Sequence, residues 1–250
     1  MKIYRFLRKN FYKLVGHYRF LKIRRFIYSF LIKIGISHSK DSIDKKVLER
    51  LSYKRNGVFI ECGASDGITY SNSYLLEQKY GWTGLLIEPI QDQFNALVSY
   101  RKKSICEKYI LTSFKESGKN LEILNAGPES IIMDNQIRNL SMSNNERINI
   151  LESQKMIKGS ESVKSISISE LLNRHDINEV DIFFLDVEGS EINVLDGLDT
   201  NKHKIKNIVV ETGSINSFKD YMSSIGFDKY ENIARNDFIF YSSLNWNYYQ

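Results

Sequence analysis

A chain of 250 residues, 42% apolar and 26% charged, has the size and composition of one globular domain with appendages. Its formal charge of +5 hides a division: residues 1–40 hold eleven Lys or Arg and no acid, leaving 24 basic and 30 acidic side chains in the remaining 210. An acidic domain with a basic arm excludes a globally basic nucleic-acid binder. Two cysteines, Cys62 and Cys106, exclude a disulfide framework and lack metal-ligand spacing, so they read as small buried hydrophobes in a reduced compartment.

The arm, residues 1–40, precedes a domain of 41–250. Tyr4, Leu7, Phe11, Leu14, Tyr18 and Leu21 follow a three-to-four spacing, with Arg5, Lys9 and Lys13 beside them. Residues 1–34 therefore read as a basic amphipathic helix that either rests on an anionic membrane surface or packs on the domain. The apolar run Phe26–Ile36 is broken by Lys33 and falls short of the ~20 residues a span needs. Charges also interrupt every candidate signal-peptide core. The expected location is the cytoplasm, with peripheral attachment to the inner face of the membrane as the further possibility, and no nucleic-acid partner.

After a charged connector over 39–56, strands and helices alternate. Val58–Cys62 is a short apolar run ending in Gly63-Ala64-Ser65-Asp66-Gly67, and a helix follows over Asn72–Lys79. Gly84–Glu88 is a second strand stopped by Pro89, residues 91–100 a helix, and Ile105–Leu111 a third strand. Leu121–Leu124 reads as extended, the polar tract 133–162 as an inserted loop or lid, Ser165–Ile168 as extended and Ser169–Arg174 as a helix. Asp181–Asp186 is the most apolar strand. A helix over 190–198, the strand Ile208–Glu211, a helix over 217–225 and a closing hairpin, Phe227–Ile233 with Asp237–Tyr241, complete the chain. The pattern predicts a Rossmann-like α/β fold: a mostly parallel, seven-stranded sheet with helices on both faces and an antiparallel strand near one edge.

Glu61, Glu88, Asp186 and Glu211 each close an apolar strand, where a lone carboxylate does nothing for packing and is costly to bury. In an open α/β sheet these strand ends form the ligand crevice. Gly63-x-x-x-Gly67 lets the backbone turn sharply but lacks the middle glycine of the dinucleotide fingerprint. An acid just before the turn repels a pyrophosphate and suits an ammonium and a sulfonium. Glu88 is placed to accept the hydroxyls of a ribose. A divalent cation is an alternative guest for such a rim, but no metal is expected. Tyr70, Asn72 and Tyr74 read as capping and packing residues beside the pocket, and His175 and His203 as surface residues.

Glu61-Cys62-Gly63-Ala64-Ser65-Asp66-Gly67, Leu86-Ile87-Glu88-Pro89 and Phe184-Leu185-Asp186-Val187-Glu188-Gly189-Ser190-Glu191 closely resemble the motifs of FkbM-type methyltransferases. Val209-Val210-Glu211 and Asn236–Tyr241 also fit, so the resemblance covers roughly 56–242. It implies S-adenosylmethionine as cofactor and O-methylation of a sugar hydroxyl in a glycan, glycan precursor or natural product; a lipid acceptor is the alternative within the enzyme class. Carried over by position, Glu61, Gly63, Ala64, Ser65, Asp66 and Gly67 would hold the methionine part of the cofactor, and Glu88 with Pro89 the ribose end. Asp186 and Glu188 would face the reacting centre, Asp186 also contacting the cofactor; Asp186 is the first candidate for the base, with Glu188 and Glu211 next. Rival readings are a nicotinamide-dependent dehydrogenase, disfavoured by the missing glycine, and a non-catalytic membrane-associated protein of the same fold.

Overall fold

The structure is a computed structural model that describes residues 39–133 and 143–243, preceded by residues 23, 26–28, 30–32, 34, 36 and 37. The stripe expected over Tyr4–Leu21 lies outside the described residues.

In chain order, helix α1 (Ile43–Arg50) comes first, then β1 (Val58–Cys62), α2 (Tyr74–Tyr80), β2 (Thr83–Ile87), α3 (Gln91–Tyr100), β3 (Ile105–Glu107), β4 (Ile110–Thr112), β5 (Asn120–Asn125) and β6 (Ile131–Ile132). Next come α4 (Asn144–Ser153), β7 (Gly159–Ser167), α5 (Ile168–Arg174), β8 (Glu179–Val180), β9 (Ile182–Leu185), α6 (Glu191–Leu195), β10 (Lys204–Ile205), β11 (Asn207–Glu211), α7 (Ile215–Ser224), β12 (Lys229–Asn232) and β13 (Asp237–Tyr241).

A seven-stranded sheet runs β12-β13-β11-β9-β1-β2-β3, in which β13 alone runs against its neighbours. Successive strand residues point to opposite faces, and both faces are apolar. Ile60, Phe183, Val210 and Phe240 meet helices α5, α6 and α7 through Leu171, Val194 and Phe218. Their neighbours Phe59, Phe184, Val209 and Ile239 meet α1, α2 and α3 through Leu48, Leu76 and Leu97. Burial on both sides explains why these strands read as continuous apolar runs without alternation.

Several expectations need correction. The run Ile105–Leu111 is not one strand: β3 ends the large sheet, while β4 starts a second, four-stranded sheet ordered β4-β7-β5-β6. The tract 133–162 is not simply a loop, because it contains α4 and the first residues of β7. Ser143 accepts from the Glu146 amide, and the Glu146 carboxylate accepts from the Ser143 amide, a reciprocal cap that starts α4. The connector 39–56 holds α1, whose Val47 and Leu48 are core residues. From the arm, Ile32 is fully buried in the same core and Ser39 bridges to Tyr70. His203 is buried, its Nδ1 3.1 Å from the Ile177 carbonyl oxygen, because the pairing of β10 with β8 draws its lysine-rich loop inward. His175 stays half-buried against Glu107.

Candidate active site

The register of the large sheet sets the site. Cys62 is level with Ile87 on one side and Leu185 on the other. The residues that follow, Gly63, Glu88 and Asp186, therefore leave the sheet side by side. Chain order reverses between β1 and β9, so the helices diverge there and a crevice opens at the strands' carboxyl ends. It is a cavity of about 540 Å³ lined by Glu61, Gly63, Ala64, Ser65, Glu88, Pro89, Asp186, Glu188 and Glu211 among others. Ile110, Ile123 and Ile132 of the second sheet form an apolar wall of the same cavity.

The glycine turn is fixed by sterics and by hydrogen bonds. Gly63 has φ +78°, and a Cβ there would lie 2.3 Å from the Asp186 carbonyl oxygen. The Gly63 and Ala64 amides both donate to the Ile87 carbonyl, and the Ser65 amide donates to Glu88 at 2.8 Å. Asp66 and Gly67 do not line the cavity. Asp66 accepts from the Ile68 and Thr69 amides and closes the turn, while Gly67 makes room for Leu97 and Arg101. In the structure both residues shape the turn.

Glu61 lines the cavity but is already well supplied with donors: Ser71 Oγ at 2.8 Å, the Asn72 amide at 2.6 Å and Ser73 Oγ at 2.5 Å. Arg101, fully buried, lies 3.7 Å from it and pairs with buried Glu77 at 3.0 Å. The same guanidinium donates to the Gly67 carbonyl and to the Ser71 and Ser73 hydroxyls. A buried charge needs such saturation. Arg101 ends a helix beside two lysines in the sequence, and nothing local distinguishes it from a solvated residue.

The Glu88 carboxylate accepts from the Ser65 and Ile90 amides, one at each oxygen, leaving a lone pair on each for another donor. Burial pushes its pKa up to about 7 against the pull of these amides. Asp186 opens onto the cavity, and among the described residues no donor reaches its carboxylate. Desolvation, then the charges of Glu188, Glu211 and Glu191, raise its pKa to about 8. Glu188 is raised to about 7 by burial, opposed by Arg147, and Asp237 to about 6 by burial and Glu211. Glu191 turns away from this group and holds the loop by accepting from the Val187 and Gly189 amides.

Three of these participants escape a reading of motifs. Lys40 places its ammonium 3.0 Å from both Glu211 oxygens. Arg147, on α4, donates to the Glu188 carboxylate at 2.7 Å and to the Glu188 carbonyl at 2.6 Å. Asp237 is opposite Glu211 in the β11–β13 pairing and so joins the rim. Tyr70 and Asn72 line the cavity, whereas Tyr74 is buried in the core.

The profile of the Methyltransferase FkbM domain matches residues 61–239, most of the chain. The chain belongs to this family. It is an S-adenosylmethionine-dependent methyltransferase. No curated protein matches it. Among solved structures, it is similar to a TehB-like methyltransferase from Corynebacterium glutamicum at 9% identity, covering 91% of this chain and 100% of that one with a TM-score of 0.40. A precorrin-6y C5,15-methyltransferase from Geobacter metallireducens is similar at 10% identity, over 80% and 87% of the two chains with a TM-score of 0.43.

The residues present fit the cofactor. A cavity in which Asp186, Glu188 and Glu88 bind protons more tightly than usual is short of positive charge, and a sulfonium with an ammonium supplies it. Glu61, Gly63, Ala64 and Ser65 would hold its amino-acid end, Glu88 its ribose diol, and the Ile90, Ile110 and Ile123 side its base.

Proposed function

We propose that this methyltransferase acts on a hydroxyl oxygen, specifically a sugar hydroxyl of a glycan or glycan precursor, in the cytoplasm. The observation that carries the reading is Asp186: a carboxylate facing the cavity, not engaged by any described donor, and of raised proton affinity.

When bound, S-adenosylmethionine supplies an electrophilic methyl group on a cationic sulfur. A neutral hydroxyl is a weak nucleophile, so a base that takes its proton during the transfer contributes about 10²–10⁴-fold. Asp186 is the residue suited to that work. Its neighbours Glu188 and Glu211 are held by Arg147 and Lys40, so their lone pairs are partly committed while those of Asp186 remain available. Positive charge in the cavity favours the ionised form of Asp186 and readies it as acceptor. Glu211, Asp237 and Tyr70 ring the same opening with groups that bind hydroxyls, which suits a polyol. The apolar second-sheet wall excludes water from one side.

The experiment is to supply the protein with methyl-labelled cofactor and glycan precursors extracted from cells lacking it. Label recovered as an O-methyl ether on a sugar supports the reading. Label on nitrogen, on carbon or on a lipid chain overturns it.

A further inference from the structure

Outside the site, the most unusual surface lies just before Lys40. Ile23, Phe26, Ile27, Phe30 and Ile34 recur at helical steps, and all five are exposed: Phe26 at 77%, Phe30 at 57% and Ile34 at 58%. Ile36 continues the apolar surface. The same segment has a second apolar side. Ile32 is fully buried in the core that α1 and α2 line, and Tyr28 packs against the same core. Burying Ile32 fixes which way the segment faces, and leaves its other apolar side in water.

An apolar stripe of this kind needs a second apolar phase. Charge identifies that phase. The first 40 residues carry eleven Lys or Arg and no acid, with Lys22, Arg24, Arg25 and Lys33 interspersed with these apolar residues in the sequence, while the remainder of the chain is net acidic. Anionic headgroups attract this end of the molecule and repel the other. A second copy docked through the same face would bring two all-basic segments together with no acid between them. No described helix is long and apolar enough to cross a membrane, and a basic amphipathic segment lying in the interface plane needs no such length.

We infer that residues 23–36 dock the enzyme on an anionic lipid bilayer, with Phe26 and Phe30 entering the interface. Only six residue steps separate Ile34 from Lys40, at most about 20 Å of extended chain. Lys40 lines the catalytic cavity, so docking brings the cavity mouth to the headgroup layer. The inference holds whichever acceptor is methylated.

The test is co-sedimentation of the full chain with vesicles of phosphatidylcholine containing about a quarter phosphatidylglycerol, against phosphatidylcholine alone. The protein is expected to pellet with the first and stay in solution with the second, and to be released by salt as the charges are screened. Phe26→Ser with Phe30→Ser is expected to weaken partitioning roughly tenfold or more, with S-adenosylhomocysteine affinity unchanged. Absence of binding to the anionic vesicles overturns the proposal, as does binding that ignores salt or the double substitution. A dimer in sedimentation velocity that the double variant dissolves, without vesicle binding, overturns it in favour of a second copy. Should the double variant lose cofactor affinity, the salt and headgroup dependence of the unmodified chain decides.

Discussion

Arg147 grips Glu188 at two points, the carboxylate at 2.7 Å and the backbone carbonyl at 2.6 Å. Glu188 has φ +54°, a backbone conformation that favours glycine or asparagine and must be held by its surroundings. One guanidinium thus fixes the loop's shape and balances the charge that acts most strongly on Asp186. A charged hydrogen bond of this type contributes about 1.5–3 kcal/mol when buried. With Glu188 a third exposed, screening leaves about 1 kcal/mol. Arg147→Met is expected to cost that much stability and to raise the Glu188 pKa further above about 7. Arg147→Lys keeps the charge without the fork and is expected to fall between. Carboxyl-carbon NMR titration of Glu188 checks this; an unmoved titration in the Met variant would remove Arg147 from the site's electrostatics.

Asp186→Asn keeps the shape and removes the proposed proton acceptor. Turnover is expected to fall about 10²–10⁴-fold while S-adenosylhomocysteine affinity changes little. Full turnover with cofactor bound would dismiss Asp186 as the base.

Asp186, Glu188 and Glu88 each bind a proton more tightly folded than unfolded, with pKa values of about 8, 7 and 7 against 3.8, 4.5 and 4.5. Their contribution to stability is complete below the unfolded values and is lost as pH rises through the folded ones. The melting temperature of the ligand-free protein is therefore expected to fall from about pH 4 to about pH 8 and to level off above that. Asp186→Asn should flatten that decline and be the more stable form at the alkaline end. Calorimetry across this range decides; equal slopes would contradict the high proton affinity.

Gly63→Ala places a methyl group 2.3 Å from the Asp186 carbonyl oxygen at a φ that alanine disfavours. Backbone faces backbone here, so neither side yields cheaply. The strain alone is of order 1–3 kcal/mol, and the turn must move away from Asp186. Loss of cofactor binding beyond the loss of stability is the expected result, read by titration calorimetry below the melting temperature.

Glu88→Ala removes the acceptor from the Ser65 and Ile90 amides and, on the proposed reading, from the cofactor's ribose. Glu88→Gln keeps a similar shape with one oxygen, and its S-adenosylhomocysteine affinity is expected to drop roughly tenfold or more. The same comparison with 2′-deoxy-S-adenosylhomocysteine separates the two roles: the difference between protein forms should shrink when the hydroxyl is missing. A constant difference would mean that Glu88 only shapes the turn.

The sequence by itself determined the large sheet, its seven strands and the acids at their ends, because these signals are local. A strand buried on both faces must be continuously apolar, and a charged residue at its end breaks that rule visibly, as Glu61, Glu88 and Asp186 do. The capping pair Ser143 and Glu146 was equally legible, and reading it would have placed α4 inside the presumed loop. Tertiary structure alone decided how those acids are managed. Lys40 meets Glu211 across 171 residues of chain, Arg147 meets Glu188 across 41, and Arg101 serves Ser71, Ser73 and Glu77 from the end of another helix. A lysine or arginine bound for a partner that far along the chain carries no periodicity or spacing to mark it, since the field that holds it exists only once the strands have brought the carboxylates together.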